Sequence, residues 1–560
     1  MCKFATVLLF VLSAGCLIIA EPVQAQTLTS QKSHTRADTL RGALRPERTC
    51  YDVTSYDLTV EVNIKGKSII GSNSIGYKAL TDFSKLQIDL FPELRIESIT
   101  WQNKTLSFQR EAGAVFVTFP ETVKAGSSGS FKVNYSGSPR MAKNPPWDGG
   151  MSWSTDNRGN PWVGVSCQGL GASVWWPNKD HLSDEPNHMS ITIIAPDSLM
   201  AVANGKWVSE TPLSNHRKST VWAVSYPINN YNVSINIGKY AHFSDTYTNI
   251  NGETLDLDYY VLDYNLEKAK QQFQQVKPML ACYEQYLTAY PFIEDGFAVV
   301  ETPYVGMEHQ GAIAYGNQFE NGYLGFDYSG INLDFDYILI HETGHEWWGN
   351  NVSMQDLADM WIHEGFCTYS EAIYVECRYG HETAIKYINH MKNLVSFDRP
   401  IIGDYNVNME GSGDMYHKGA LFLHTLRTLT DDDALWWSII SGIQKDFALQ
   451  TVTTQQIESY ISKKAGKDFS KEFDLYLRHT KLPQFEYKLT DTQKGLQIEC
   501  RWVTEVPDFN MPLRYLDQNN KWVWIHPTSE WQTILLPGMK AKSFQLDDKN
   551  LYFDQRMALK

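Results

Sequence analysis

The chain has little positive charge, few cysteines, no low-complexity run and no internal repeat. Its 49 Lys and Arg stand against 64 Asp and Glu, a formal charge of −15 over 560 residues. Nucleic acids and anionic membranes reward clustered cations, so neither is expected as a partner. A substrate carrying a free ammonium group is compatible with that balance. Beyond the first 20 residues no stretch is apolar enough for long enough to span a bilayer. Only eight cysteines occur, and no spacing among them resembles a cysteine zinc site.

What is there begins with a leader. Lys3 supplies a positive start, Phe4 to Ala20 is nearly all apolar, and Val23-Gln24-Ala25 resembles a small-residue cleavage site. Residues 1–25 are therefore expected to be a signal peptide, cleaved after Ala25. The mature chain is expected in the periplasm or outside the cell, with no stable membrane insertion. Two rivals are a lipoprotein box at Ser13-Ala14-Gly15-Cys16 and a retained anchor. The leucine of that box sits one position too early, and the apolar run falls short of the roughly 20 residues a spanning helix needs. Cleavage leaves Cys50, Cys167, Cys282, Cys367, Cys377 and Cys500, in a compartment that permits disulfides. Cys367 and Cys377 are expected on one helix, about 15 Å apart and too far to bond. The pairing is otherwise open, and buried small hydrophobes are the default reading.

The length suggests three domains, each with its own apolar interior. Residues 26–46 are polar and patternless and read as a flexible lead-in. Over 47–245 apolar and polar residues alternate in runs such as 55–64 and 189–195, which predicts an N-terminal all-β domain. Over 246–480 the spacing turns helical, at 266–287, 335–348, 360–379 and 418–429. Over 481–560 short strands return, at 496–503, 522–525 and 531–536, which predicts a small C-terminal β-sandwich.

The chemistry centres on His341-Glu342-Thr343-Gly344-His345, an H-E-x-x-H motif entered by the apolar run 335–340. Gly349 is placed to end that helix. Histidines one turn apart share a helix face and approach one metal at about 2.0–2.1 Å. Glu342 lies near that face, free to act as a base. A catalytic zinc usually has three protein ligands and an open position. Glu364, with eighteen residues between it and His345 and on a second helical segment, is the candidate third ligand.

These motifs resemble the zinc site of the aminopeptidase N and leukotriene hydrolase family. The resemblance rests on His341-Glu-x-x-His345-x-Trp347-x-Gly349-Asn350 followed by Trp361-x-x-Glu364-Gly365-Phe366. Gly306-Met307-Glu308-His309 resembles the family's Gly-Ala-Met-Glu-Asn exopeptidase signature, and Tyr416-His-Lys418-Gly419-Ala420 its catalytic tyrosine motif. Gln168, nine residues before Pro177, and Asp184-Glu185-Pro186 extend the likeness into the β-rich region. It implies a thermolysin-like, mainly α catalytic domain and one zinc ion per chain on His341, His345 and Glu364. The zinc polarises the scissile carbonyl and lowers the pKa of its water from 15.7 towards about 7. Glu342 moves the water's proton to the leaving amine, and Tyr416 donates to the oxyanion. Glu308, with Gly306, Met307 and Gln168, is implied to hold a peptide by its free N-terminus.

The chain departs from the pattern at several points. Gly306 and His309 replace the signature's alanine and asparagine, and His363 replaces the asparagine before the third ligand. His309 and His363 are read as packing or supporting residues, not ligands. The small β domain closes the chain, so the large helical domain of many relatives is expected to be missing. A thermolysin-like endopeptidase is the principal alternative; a lipid-epoxide hydrolase and a non-catalytic peptide-binding protein are the others.

Overall fold

The computed structural model describes residues 34–558. The expected signal peptide and residues 26–33 lie outside the described residues. The rest of the expected lead-in is not flexible chain. Arg36–Gly42 and Pro46–Thr49 are short helices that bury Leu40 and Arg48. The fully buried Arg48 guanidinium meets the Asp89 carboxylate at 2.8 Å and the Arg41 carbonyl at 2.7 Å. Burial pushes the Asp89 carboxyl up to about 6, against the pull of Arg48. Elements this short carry no helical period, so composition alone could not reveal them.

An eight-stranded sheet with Tyr51–Asn63, Ser68–Ala79 and His188–Pro196 at its centre forms the first half. Tyr51–Asn63 buries alternate residues, and a register shift between Val53 and Ser55 re-phases the alternation. A three-stranded sheet and a four-stranded sheet, the latter containing Gly150–Thr155 and Pro161–Ser166, complete this layer.

A mixed five-stranded sheet follows, in the order 240–248, 254–262, 297–301, 313–315, 306–307. Its first strand, Tyr240–Thr248, crosses the expected boundary at 245/246. The change from strand to helical texture therefore falls within a sheet rather than at a linker. Helices then predominate from Tyr337 to Arg478. The predicted helix over 266–287 is Leu266–Gln272 and Val276–Tyr286 joined by a single 3₁₀ turn.

The C-terminal strands form a four-stranded sheet and a two-stranded ribbon. Phe485, Trp502 and Phe509 pack on one another beneath the four-stranded sheet. Leu496, Ile498, Trp502 and Leu513 belong to the same core as Trp347, Phe366 and Phe422. The expected C-terminal β domain is thus present, its apolar face continuous with the core of the helical region.

Cys282 and Cys377 form a disulfide across 95 residues, correcting the reading of both as buried hydrophobes. Spacing along one helix separates Cys377 from Cys367 but is blind to a partner on another helix. Cys50, Cys167, Cys367 and Cys500 are free and buried. No described helix is long and apolar enough to cross a membrane.

Candidate active site

The helix Tyr337–Gly344 begins at Asp336, whose side chain accepts from the Leu339 amide at 3.1 Å. The same carboxylate accepts from Gln272, Tyr315 and Asn317, which ties the helix start to the mixed sheet. Hydrogen-bonded turns carry the chain from Gly344 to Val352. Gly349 therefore does not cap the helix. It stands at φ +125°, where a Cβ would press on the rings of His345 and His363. The second helix, Trp361–Tyr379, packs against the first and presents Glu364 in its first turn.

Three donor atoms converge between these helices. His341 Nε2 and His345 Nε2 lie 3.3 Å apart, and Glu364 Oε2 lies 3.7 Å and 3.4 Å from them. Tetrahedral ligands held about 2.0–2.1 Å from one ion stand roughly 3.4 Å from each other. Glu364 Oε2 is buried and has no hydrogen-bond partner. Such an orphaned oxygen is costly unless a cation faces it, so the donor set fits zinc. Burial raises the Glu364 carboxyl, but the His345 and His341 imidazoles outweigh it and hold the group far below the usual carboxylate range.

Two other groupings come within 4.8 Å, Cys367 with both histidines and Glu308 and Glu342 with His345. The Cys367 thiol is engaged by the His341 carbonyl at 2.9 Å. Glu308 already accepts from Gln168 and Tyr231. Glu364 Oε2, in contrast, faces the Nε2 atoms of both histidines. The far nitrogens of both histidines are fixed as well. His341 Nδ1 meets Glu371 Oε1 at 2.7 Å, and His345 Nδ1 meets the Trp348 carbonyl at 2.8 Å.

Glu342 is buried beside this triad. Burial pushes its carboxyl up to about 7; the two imidazoles pull it down, while Glu308 and Glu364 add to the rise. Glu308 Oε1 accepts from Gln168 Nε2 at 2.6 Å and from the Tyr231 hydroxyl at 2.9 Å. Gln168 also donates to Glu364 Oε1 at 2.9 Å, so one amide bridges the expected ammonium anchor and the expected metal ligand. Burial raises the Glu308 carboxyl despite the His345 imidazole.

The Tyr416 ring lies nearly parallel to that of His341 with centroids 6.1 Å apart. Burial and the Glu364 carboxylate keep its hydroxyl protonated. Met307 is buried on the edge strand Gly306–Met307. The space left by Gly306 is filled from within the protein. A Cβ there would meet Glu342 Oε1 at 2.4 Å and Ile338 Cγ2 at 2.8 Å, so the missing side chain first makes room for Glu342. His363 accepts from the Met354 amide and contacts the Tyr231 hydroxyl. His309 is buried with neither ring nitrogen bonded. Both histidines are pushed down to about 3 by burial.

These side chains open on a cavity of about 550 Å³ that Trp147, Tyr323, Tyr328, Arg399 and Glu410 also line. Sequence reading missed those five, together with Tyr231 and Glu371. None lies in a patterned motif, apart from Glu371, which stands two turns beyond Glu364 and so on the same helix face. The short helix Arg36–Gly42 braces the cavity wall. Arg41 donates to the Leu170 carbonyl, and the Asp38 carbonyl accepts from the Asn408 amide.

Residues 271–476 match the sequence pattern described as Peptidase family M1 domain. The chain carries a peptidase M1 domain. Among curated proteins, human endoplasmic reticulum aminopeptidase 1 is 22% identical over 277 residues, which are 47% of this chain and 27% of that protein. Aminopeptidase N of Escherichia coli is 22% identical over 246 residues, 41% of this chain and 28% of that protein. The matched stretch thus spans about a quarter of either relative. The solved M1 zinc metallopeptidase of Deinococcus radiodurans has a similar fold, with a TM-score of 0.66 at 21% identity over 77% of this chain and 94% of that one. A mutant of that protein, solved with a Tyr-ser-ala substrate, aligns with a TM-score of 0.66 at 20% identity, covering 77% of this chain and 95% of that one. The M1 match covers the exopeptidase signature, both zinc-motif helices and the tyrosine motif.

Proposed function

We propose that this chain is a zinc aminopeptidase that removes residues singly from the free N-termini of peptides. The observation that carries this reading is the placement of Glu308. Its buried carboxylate is joined through Gln168 to Glu364, so an ammonium held there sets the first peptide bond beside the ligand triad.

Zinc held by His341, His345 and Glu364 supplies Lewis-acid polarisation of the carbonyl and lowers the pKa of water. Glu342, buried beside the triad, is placed to take a proton from the attacking water and return it to the leaving amine. Tyr416 donates its hydroxyl to the developing oxyanion, a contact of the kind that contributes about 3 kcal/mol. Glu308 and Gln168 orient the substrate amine. The proposed place of action is the periplasm or the cell exterior. The leader-like segment supports that, as does the Cys282–Cys377 disulfide, a bond that persists in oxidising compartments. Fractionation with N-terminal sequencing tests it, with Gln26 as the expected first residue.

The activity test uses one short peptide, free or N-acetylated, with and without a zinc chelator, its products read by mass spectrometry. Stepwise N-terminal loss from the free peptide alone, stopped by the chelator, is the expected result. Internal cuts in both peptides would discard the role of Glu308 and leave an endopeptidase.

A further inference from the structure

The acidic groups lining the cavity are not alike. Glu308, Glu342 and Glu364 are buried and are accounted for by the proposed reaction. Asp148 is paired with Arg140. The one arginine on the wall, Arg399, lies 3.8 Å from Asp398 and donates to the Gly411 carbonyl at 2.7 Å. Glu410 differs from all of these. It is exposed to the cavity, and no cation lies within 4 Å of it among the described residues.

It lies against Gly169. A Cβ on that glycine, which stands at φ +68°, would lie 3.6 Å from Glu410 Oε2. Gly169 directly follows Gln168, the amide that bridges Glu308 and Glu364. Trp147 lines the same cavity from a separate segment. The strands 150–155 and 161–166 pair antiparallel with Gly150 opposite Ser166. Trp147 lies in the turn 145–147 that precedes the first of these strands. The Trp147 ring is 65% exposed and lines the cavity. An unpaired carboxylate and an open aromatic face therefore flank the wall next to the amine anchor. A first residue anchored by its ammonium at Glu308 has its own side chain within reach of that wall.

We propose that this wall selects peptides whose first residue is basic, lysine or arginine. The Glu410 carboxylate pairs with the side-chain cation, and the Trp147 face covers its alkyl stem and charge. The inference rests on the aminopeptidase reading and names its substrate class. Exposed ion pairs and exposed cation–π contacts are each modest, so together they amount to about tenfold in kcat/KM.

The test compares Lys-Ala-Ala with norleucine-Ala-Ala, which keeps the alkyl stem and lacks the ammonium, on the zinc-loaded full chain. The expected kcat/KM ratio is about ten in the wild type and falls to about three in Glu410→Gln and in Trp147→Ala, each of which removes one of the two contacts. A wild-type ratio at or below one overturns the proposal, as does a ratio unchanged in Glu410→Gln. A variant that is merely misfolded lowers both rates and keeps the ratio, so that result also counts against it. Cleavage of the norleucine peptide upholds the aminopeptidase reading whatever the ratio; cleavage of neither peptide removes both.

Discussion

The side of the cavity where His341, His345 and Glu364 converge and the side proposed to face the peptide are built on different principles. The first consists of two packed helices whose histidines are fixed from behind by Glu371 and the Trp348 carbonyl. The second consists of loops and one short edge strand, drawn from residues 146–149, 168–170, 305–308 and 410–416. Those pieces lie far apart in sequence and are held by single contacts such as Arg41 to Leu170 and Asn408 to Gly169. Metal geometry tolerates little error, whereas peptide recognition requires a wall that varies residue by residue. The division predicts that damage to the helical side removes the reaction and damage to the loop side changes what is accepted.

The largest expected effect lies on the helical side. Glu342→Gln should lower turnover by about 10³-fold while zinc content by atomic absorption stays at one per chain. Glu364→Ala should instead release the metal. Full zinc in Glu364→Ala, or wild-type turnover in Glu342→Gln, would remove the proposed assignment of base and ligand. Next in size is the support behind the ligands. Glu371→Gln should weaken zinc affinity by about 10- to 100-fold in a competitive chelator titration, with the fold retained by circular dichroism. The Tyr387 hydroxyl, 2.5 Å from the other Glu371 oxygen, leaves that carboxylate little freedom to move, so the histidine loses a placed partner. An unchanged zinc affinity would mean that the backbone alone orients His341.

A smaller effect concerns stability rather than chemistry. The Cys282–Cys377 bond joins the helix Val276–Tyr286 to the far end of the helix that carries Glu364. Cys282→Ser with Cys377→Ser should cost about 2–4 kcal/mol in chemical denaturation, because the bond closes a long loop in the unfolded chain. Turnover at 25 °C should change little, since the opposite end of that helix carries Glu364. A loss of zinc in the double variant would show that the bond also fixes the ligand helix.

The same division explains what could be read in the sequence. His341 and His345 were legible because helical periodicity turns their spacing into a shared face, with Glu342 beside it, while Glu364 on a second helix was read from its separation along the chain and from the resemblance. Glu308 and Tyr416 have no such periodicity, and only resemblance pointed to them. Trp147 and Glu410 were invisible, because loops from separate elements bring them to the cavity, and Tyr231 reaches Glu308 from a short 3₁₀ turn that no local pattern marks. Alternation revealed the strands around 55–64 and 189–195, while the boundary near 245 failed because a continuous sheet carries the change of texture. The lead-in failed for a related reason. Polar composition describes the exposed faces of Arg36–Gly42 and Pro46–Thr49, but one buried arginine, paired with Asp89, anchors the segment.

His309 provides the finest test of the loop side. It occupies the position after Glu308, is fully buried, and has no bonded ring nitrogen. Burial lowers it to about 3 from an ordinary value of 6.5. In the unfolded chain the ring regains its ordinary value, so on acidification the unfolded state binds the proton first. The stability associated with a neutral His309 is thus complete above about pH 6.5 and is lost as pH falls from there towards 3. Each unit of pH in that window costs about 1.4 kcal/mol for this one residue, or about 2 kcal/mol between pH 6.5 and pH 5. Asparagine does not titrate, so His309→Asn should show a shallower fall of Tm over that interval, whatever its absolute stability. His181 and His424, lowered to about 3 and about 4, remain in both proteins and set a common background. Parallel Tm curves for wild type and variant would show that His309 is already protonated in the folded protein, or that water reaches it. Either result would make the peptide-facing side of the cavity more open than its packing implies.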